Sequence, residues 1–194
     1  MFPSGMPPNP DLLARLCLTR PSLDLLPSYL DFIEEMRVVG DTIWPSRLPG
    51  ADVGPDAFVA RLLLKETTPE PPAVPESVHW GLVDDRVIGL IALRHHLNEQ
   101  LEKFGGHIGY EVRPSCRCQG VATAMLRLLL VTERARTLGR ILVTCAPSNA
   151  ASRKAIEANG GLLKGIVFVA EVKRETCHYW IDVDGRSPPA PPAS

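Results

Sequence analysis

Apolar positions along the chain follow one of two periods. Leu26, Leu30, Ile33 and Met36 share one helical face after Pro21-Ser22, predicting a helix that opens there. Phe58, Val59, Leu62 and Leu63 predict a second helix from Pro55-Asp56 to near Thr67. Val121, Met125, Leu128, Thr132 and Ala135 predict one long helix, closed at Leu138-Gly139 where glycine suits the C-terminal position. A short helix over Ala150–Ala158 follows Pro147-Ser148-Asn149 and ends at Asn159-Gly160-Gly161. The period of two appears where Ile108, Tyr110 and Val112 alternate with His107, Gly109 and Glu111. Further strands are predicted at Ala14–Thr19, at Val78–Val83 and Val87–Leu93 joined by the turn Asp84-Asp85-Arg86, and at Leu162–Val172 and Cys177–Val183. Arg140–Cys145 is apolar and β-branched, as in a strand buried on both faces. The segments 40–55, 69–75 and 95–106 read as loops, the first two rich in proline.

The order β-α-α-β-β-β-α-β-α-β-β predicts an α+β (mixed α/β) fold, with a central, mostly antiparallel twisted sheet flanked by helices. One domain over 11–184 is expected, between a disordered N-terminal segment (1–10) and a disordered Pro-rich tail (185–194). A net charge of −1 supplies no basic field to attract nucleic acid or an anionic membrane. The apolar run Met125–Val131 contains Arg127 and is too short to cross a bilayer. The start Met1-Phe-Pro-Ser4 carries no secretory signal, so a cytoplasmic location is expected. Cys17, Cys116, Cys118, Cys145 and Cys177 form no zinc-type or redox spacing; no metal is expected, and the cysteines read as reduced thiols.

Candidate chemistry concentrates in Gly105–Thr123, a strand, a loop and a helix start. Pro114 and Ser115 stop the strand, since proline cannot donate to the ladder. Small residues in Arg117-Cys-Gln-Gly-Val-Ala122 let a ligand approach the backbone, and the amides and dipole of a helix N-terminus favour an anion. Arg113 and Arg117 add positive charge, so a phosphorylated ligand fits. The Walker phosphate loop and the Gly-x-Gly-x-x-Gly dinucleotide fingerprint are both absent from the sequence. Arg117–Ala122 instead reads Arg-x-x-Gly-x-Ala, which resembles the pyrophosphate-binding motif of the GNAT-type N-acetyltransferase superfamily. The wider runs Arg94-His-His-Leu-Asn-Glu99, Gly105-Gly-His-Ile-Gly-Tyr110 and Val112-Arg-Pro-Ser115 are similar to a bacterial subgroup of it.

The resemblance implies a GNAT-like acyl-CoA N-acyltransferase fold and an N-acetyltransferase that uses acetyl-CoA. It implies a pantetheine arm running beside the strand at Tyr110, Glu111 and Val112. The pyrophosphate would lie on Arg117, Cys118, Gln119, Gly120, Val121, Ala122 and Thr123. Asn149 matches the family's asparagine near the pantetheine, although a helix N-cap explains it equally, and Ser152 neighbours the same arm. An amine attacking the thioester must first lose a proton. Glu111, a carboxylate beside the expected thioester, is the first candidate base, and His107 shares its strand face. His95 and His96 are adjacent, so one of them could reach the acceptor. Many members of the family protonate the leaving thiolate with a tyrosine where this chain has Ile156; Tyr179 is the candidate substitute. The first two helices, the loop 98–104 and the late strands would build the acceptor pocket, with Trp44 and Trp80 as candidate linings. The acceptor would be a small-molecule amine or a protein amine. The competing reading is a catalytically silent acyl-CoA-binding sensor or regulatory module. Leu162–Val172 is apolar enough to pair two chains as a homodimer.

Overall fold

The computed structural model describes residues 9–50 and 53–183. The Pro-rich tail and most of the N-terminal segment expected to be disordered lie outside the described residues. Asn9 and Pro10 open helix α1 (Pro10–Arg15), whose first turn is capped where the Leu12 amide donates to the Asn9 side chain at 3.2 Å. Ala14 belongs to this helix, so the first strand, β1, is only Cys17–Thr19.

Helix α2 (Leu26–Val38) begins with Pro27 in its first turn, one proline later than the apolar period predicts. It buries Leu26, Tyr29, Phe32, Ile33 and Met36, and leaves Leu30 exposed. A short 3-10 turn at Pro45–Arg47 breaks the expected loop, and α3 (Pro55–Leu64) buries Phe58, Val59 and Leu62. Strands β2 (Glu76–Val83) and β3 (Arg86–Arg94) form a hairpin whose turn residues Asp84 and Asp85 both take positive φ, as a tight two-residue turn requires. The register slips between Gly81 and Leu82, which pair with Gly89 and Val87, so Ile88 is the extra residue of a bulge.

The segment expected to be irregular contains α4 (Glu99–Lys103), capped by Asn98 and too short to show an apolar period. Strand β4 (Ile108–Val112) completes an antiparallel sheet in the order β1-β2-β3-β4. The long helix predicted after it is two helices, α5 (Val121–Leu130) and α6 (Glu133–Leu138). Thr132, counted as a helical position by its spacing, is extended; its side chain accepts from the Ala135 amide and starts the second helix. Strand β5 (Arg140–Cys145), helix α7 (Ala150–Glu157) and strands β6 (Leu162–Val169) and β7 (Arg174–Asp182) follow. The second sheet runs β5-β7-β6, again antiparallel. The predicted central sheet is therefore divided in two.

Helices cover both faces of the first sheet. Ile91, Leu93 and the bulged Ile88 of β3 pack toward Met125, Leu126 and Leu129 of α5. Val87, Leu90 and Ala92 pack toward Tyr29, Phe32, Phe58 and Leu62 of α2 and α3. Trp80 belongs to this second core, fully buried and stacked on Tyr29 at 4.6 Å. Strand β6 is the edge of its sheet and leaves Leu162, Leu163, Ile166, Val167 and Phe168 exposed.

Candidate active site between the two sheets

The sheets share a core and are hydrogen-bonded to one another just before β4. The His107 amide donates to the Leu142 carbonyl at 2.7 Å, and the Leu142 amide donates to Nδ1 of His107 at 2.9 Å. Gly106 permits the approach: it has φ +60°, and a Cβ there would sit 2.5 Å from the Leu142 oxygen. Among the described residues no other backbone hydrogen bond joins β4 to β5. The gap beyond holds two cavities of about 750 and 850 Å³, which share Tyr110, Glu111, Asn149 and Ser152 as lining. Adjacent residues of β4 point to opposite faces, so Tyr110 lies beside the α5 core while Glu111 turns toward α2 and α3.

The larger cavity ends on α5. Gly120, left-handed at φ 86°, precedes the helix without a side-chain cap, and the first intrahelical bond runs from Ala124 to the Gly120 carbonyl. The amides of Val121, Ala122 and Thr123 therefore have no partner among the described residues, and all three residues line the cavity. These are the groups a pyrophosphate needs. Val112, beside the expected pantetheine arm, and Arg117, Cys118 and Gly120 of the motif also line it. Gln119 does not, because its side chain turns back to donate to the Ser115 carbonyl at 3.1 Å. Arg117 donates to the Val112 carbonyl at 3.0 Å and pairs with Asp41. Arg113 supplies no charge to this loop: it is buried and donates to Glu35 at 2.6 Å and to the Val87 carbonyl at 3.1 Å. On the facing helix, Asn149 caps α7 by accepting from the Ser152 amide at 3.0 Å. Sequence reasoning missed Lys154 on the same wall, although it lies five residues beyond Asn149 on the same helix, and Thr42, which carries no local signal.

Lining the smaller cavity is a buried charge cluster absent from the sequence reading. Glu76 opens β2 and accepts from Lys65 Nζ at 2.9 Å and, at 3.4 Å, from Arg47; Arg94 Nε lies at 3.9 Å. Burial works to raise the Glu76 carboxyl, but Arg47, Lys65 and Arg94 outweigh it and hold the group below the ordinary carboxylate range. Glu111 goes the other way. Burial raises its pKa, Glu76 adds to the rise, and the neighbouring cations only partly oppose it. No donor contacts its carboxylate among the described residues. The Tyr110 hydroxyl is likewise buried and makes no hydrogen bond of normal geometry; burial raises its pKa, and the Ser152 side chain beside it partly opposes the rise. Trp44, largely exposed, also lines this cavity.

The remaining candidates stand elsewhere. His107 lines neither cavity: its ring is committed to Leu142, and burial brings its pKa down to about 4. Tyr179 is fully buried behind β5, accepting from Arg153 Nε at 3.0 Å and donating to Glu157 at 2.8 Å. Ile156 points into the core, away from both cavities. His95 contacts the Ser77 hydroxyl at 2.8 Å, and neither it nor His96 reaches a cavity.

Two sheets joined at one end, with a helix N-terminus facing the gap, define an acyl-CoA-type transferase architecture. The sequence matches the family described as "Acetyltransferase (GNAT) domain" over residues 15–161, most of its length. The chain belongs to this family and is an acyltransferase. No curated protein matches the sequence. The microcin C7 self-immunity acetyltransferase MccE, solved with acetyl-CoA and AMP, aligns with TM-score 0.62 at 15% identity, covering 87% of this chain and 92% of its own. The ribosomal L7/L12 alpha-N-protein acetyltransferase RimL aligns with TM-score 0.61 at 17% identity, covering 89% and 96%. Mycobacterium smegmatis RimJ, solved with CoA-disulfide, aligns with TM-score 0.59 at 18% identity, covering 86% and 81%. At these identities the likeness is one of fold. No helix among the described residues is long and apolar enough to cross a membrane.

Proposed function

We propose that this chain is an N-acetyltransferase that moves the acetyl group of acetyl-CoA to a primary amine by direct attack on the thioester. The observation that carries the reading is that two cavities meet at Tyr110 and Glu111, one ending on the open amides of α5 and the other lined by charged groups. Acetyl-CoA occupies the first, its pyrophosphate on Val121, Ala122 and Thr123 with Arg117 and Lys154 nearby, and its arm along the unpaired edge of β4. The thioester then lies at the junction.

An amine with a pKa near about 10.4 arrives as an ammonium ion. Glu111, whose raised pKa makes it a better proton acceptor than an ordinary carboxylate, takes that proton directly or through one water. The nitrogen bonds to the acetyl carbon, the carbon–sulfur bond breaks, and the pair leaves on sulfur. The Tyr110 hydroxyl donates a hydrogen bond to the departing thiolate, which takes its proton from solvent or from the new ammonium nitrogen. His107 positions β4 against β5 rather than touching the reacting atoms, and Tyr179 braces α7.

The test is incubation of the purified chain with acetyl-CoA and a panel of small amines and peptides, following CoA thiol and N-acetyl product by mass. Equal amounts of thiol and product support the reading. Acetyl-CoA binding with no turnover of any amine counts against it. The same reading includes a homodimer joined along the exposed edge β6, which light scattering would report as twice the chain mass.

A further inference from the structure

We propose that the amine acceptor carries an anionic group, a carboxylate or a phosphate, which seats on Arg47 while the amine lies at Glu111. This inference rests on the acetyl-transfer reading above and names the acceptor's chemistry.

Arg47 is only 6% exposed, yet it lines the smaller cavity. Its backbone is held in place because the Tyr29 hydroxyl donates to its carbonyl at 2.8 Å. A guanidinium carries five N–H donors and keeps its charge. Among the described residues its side chain has one partner, Glu76, at a long 3.4 Å. That carboxylate is already shared with Lys65 at 2.9 Å and lies 3.9 Å from Arg94. One acidic group thus serves three cations. Arg94 is otherwise satisfied, donating to the Gly105 and Gly106 carbonyls at 3.0 and 2.9 Å, so the unmet donors belong to Arg47 and, beside it, to Lys65, whose ammonium has Glu76 alone.

The other charged groups on this cavity do not correct the imbalance. Glu70 and Arg174 sit exposed at the rim and offset each other in sign. Glu111, beside the junction with the cofactor cavity, is a second carboxylate within the field of Arg47, Lys65 and Arg94, and three cations against two carboxylates still leave positive charge in excess. The phosphates of acetyl-CoA belong to the opposite cavity, on α5, and do not answer Arg47. The open donors of Arg47 face the cavity, and an anion on the ligand meets them there with charge-assisted hydrogen bonds. The Thr176 hydroxyl, 2% exposed and without a partner, lines the same cavity and adds a polar group for the acceptor. Positive charge at one end and a carboxylate at the junction suit a molecule with the opposite polarity: anion deep, ammonium toward the thioester. Polyamines meet more cations than carboxylates here and are disfavoured.

The experiment measures acceptor KM for glycine and phosphoethanolamine against their uncharged partners, glycine methyl ester and ethanolamine, with spermidine as a cationic control. Each anionic amine should show a KM at least about tenfold below its partner, the scale of a charge-assisted hydrogen bond. The carboxylate and phosphate arms tell the two anions apart. Arg47→Gln should raise KM for the anionic amines toward that of their partners without changing the Kd for acetyl-CoA. A second readout needs no turnover: calorimetric binding of N-acetylglycine and its methyl ester to the CoA-loaded wild-type chain. Selective binding of the acid without turnover of any amine would leave the anion seat standing and remove the acetyl-transfer reading. Equal KM and equal binding for acid and ester, or a preference for spermidine, would overturn the proposal.

Discussion

Leu142 and His107 exchange hydrogen bonds, amide to carbonyl at 2.7 Å and amide to ring nitrogen at 2.9 Å, and this exchange joins the two sheets. The ring nitrogen must be unprotonated to accept. Burial holds the His107 pKa at about 4, below the 6.5 of an ordinary histidine. The unfolded chain therefore binds the proton more readily, and stability falls as pH drops from about 6.5 through about 4. The loss is on the order of 3 kcal/mol for a shift of this size. Denaturant midpoints measured across that window should slope less in His107→Leu than in the wild type, and the variant should be less stable at neutral pH. Parallel slopes would remove this role from His107.

Glu111 has the opposite linkage. With its pKa raised by burial, the folded chain holds the proton more tightly than the unfolded chain, so ionisation destabilises the fold as pH rises. Glu111→Gln should raise the melting temperature at neutral pH while lowering kcat by about a hundred- to ten-thousand-fold. The acid limb of the wild-type pH–rate profile should inflect above the ordinary carboxylate range. A variant with normal kcat would place the base elsewhere.

Tyr110 carries a buried hydroxyl whose one polar side-chain neighbour, Ser152, makes no hydrogen bond of normal geometry with it. Removing it relieves an unpaired polar group, so Tyr110→Phe should melt no lower than the wild type. If the hydroxyl stabilises the departing thiolate, kcat falls about tenfold, the worth of one modest hydrogen bond. Loss of stability with full activity would contradict this assignment.

Tyr179 separates from it cleanly. Its hydroxyl joins Arg153 to Glu157 on α7, and none of the three lines either cavity. Tyr179→Phe should cost about 1 kcal/mol of stability and leave kcat near the wild-type value. Thermal melts and initial rates on one preparation decide it.

What was legible in the sequence was local. The run from Gly105 to Thr123 folds as the strand, loop and helix start that its periods announce, since each step depends on neighbouring residues. Residue-level geometry was less legible. Alternation put His107 and Glu111 on one face, but it could not say that the histidine ring would be claimed by Leu142 in another sheet. The helical period ran through Thr132 because a capping side chain does not interrupt an apolar spacing. Arg113 and Arg117 look alike in sequence, yet Glu35 claims the first and Asp41 pairs with the second. The charge cluster was invisible because Arg47, Lys65, Glu76 and Arg94 come from separate segments that meet only after folding.

The most direct measurement is calorimetric titration of acetyl-CoA into the wild-type chain and into Ala122→Glu. A carboxylate in the first turn of α5 favours the helix, so the variant should fold, while its charge should repel a pyrophosphate. The account predicts micromolar binding by the wild type that is abolished in a variant with an unchanged melting temperature. Equal binding by both chains, or no binding by the wild type, would contradict it.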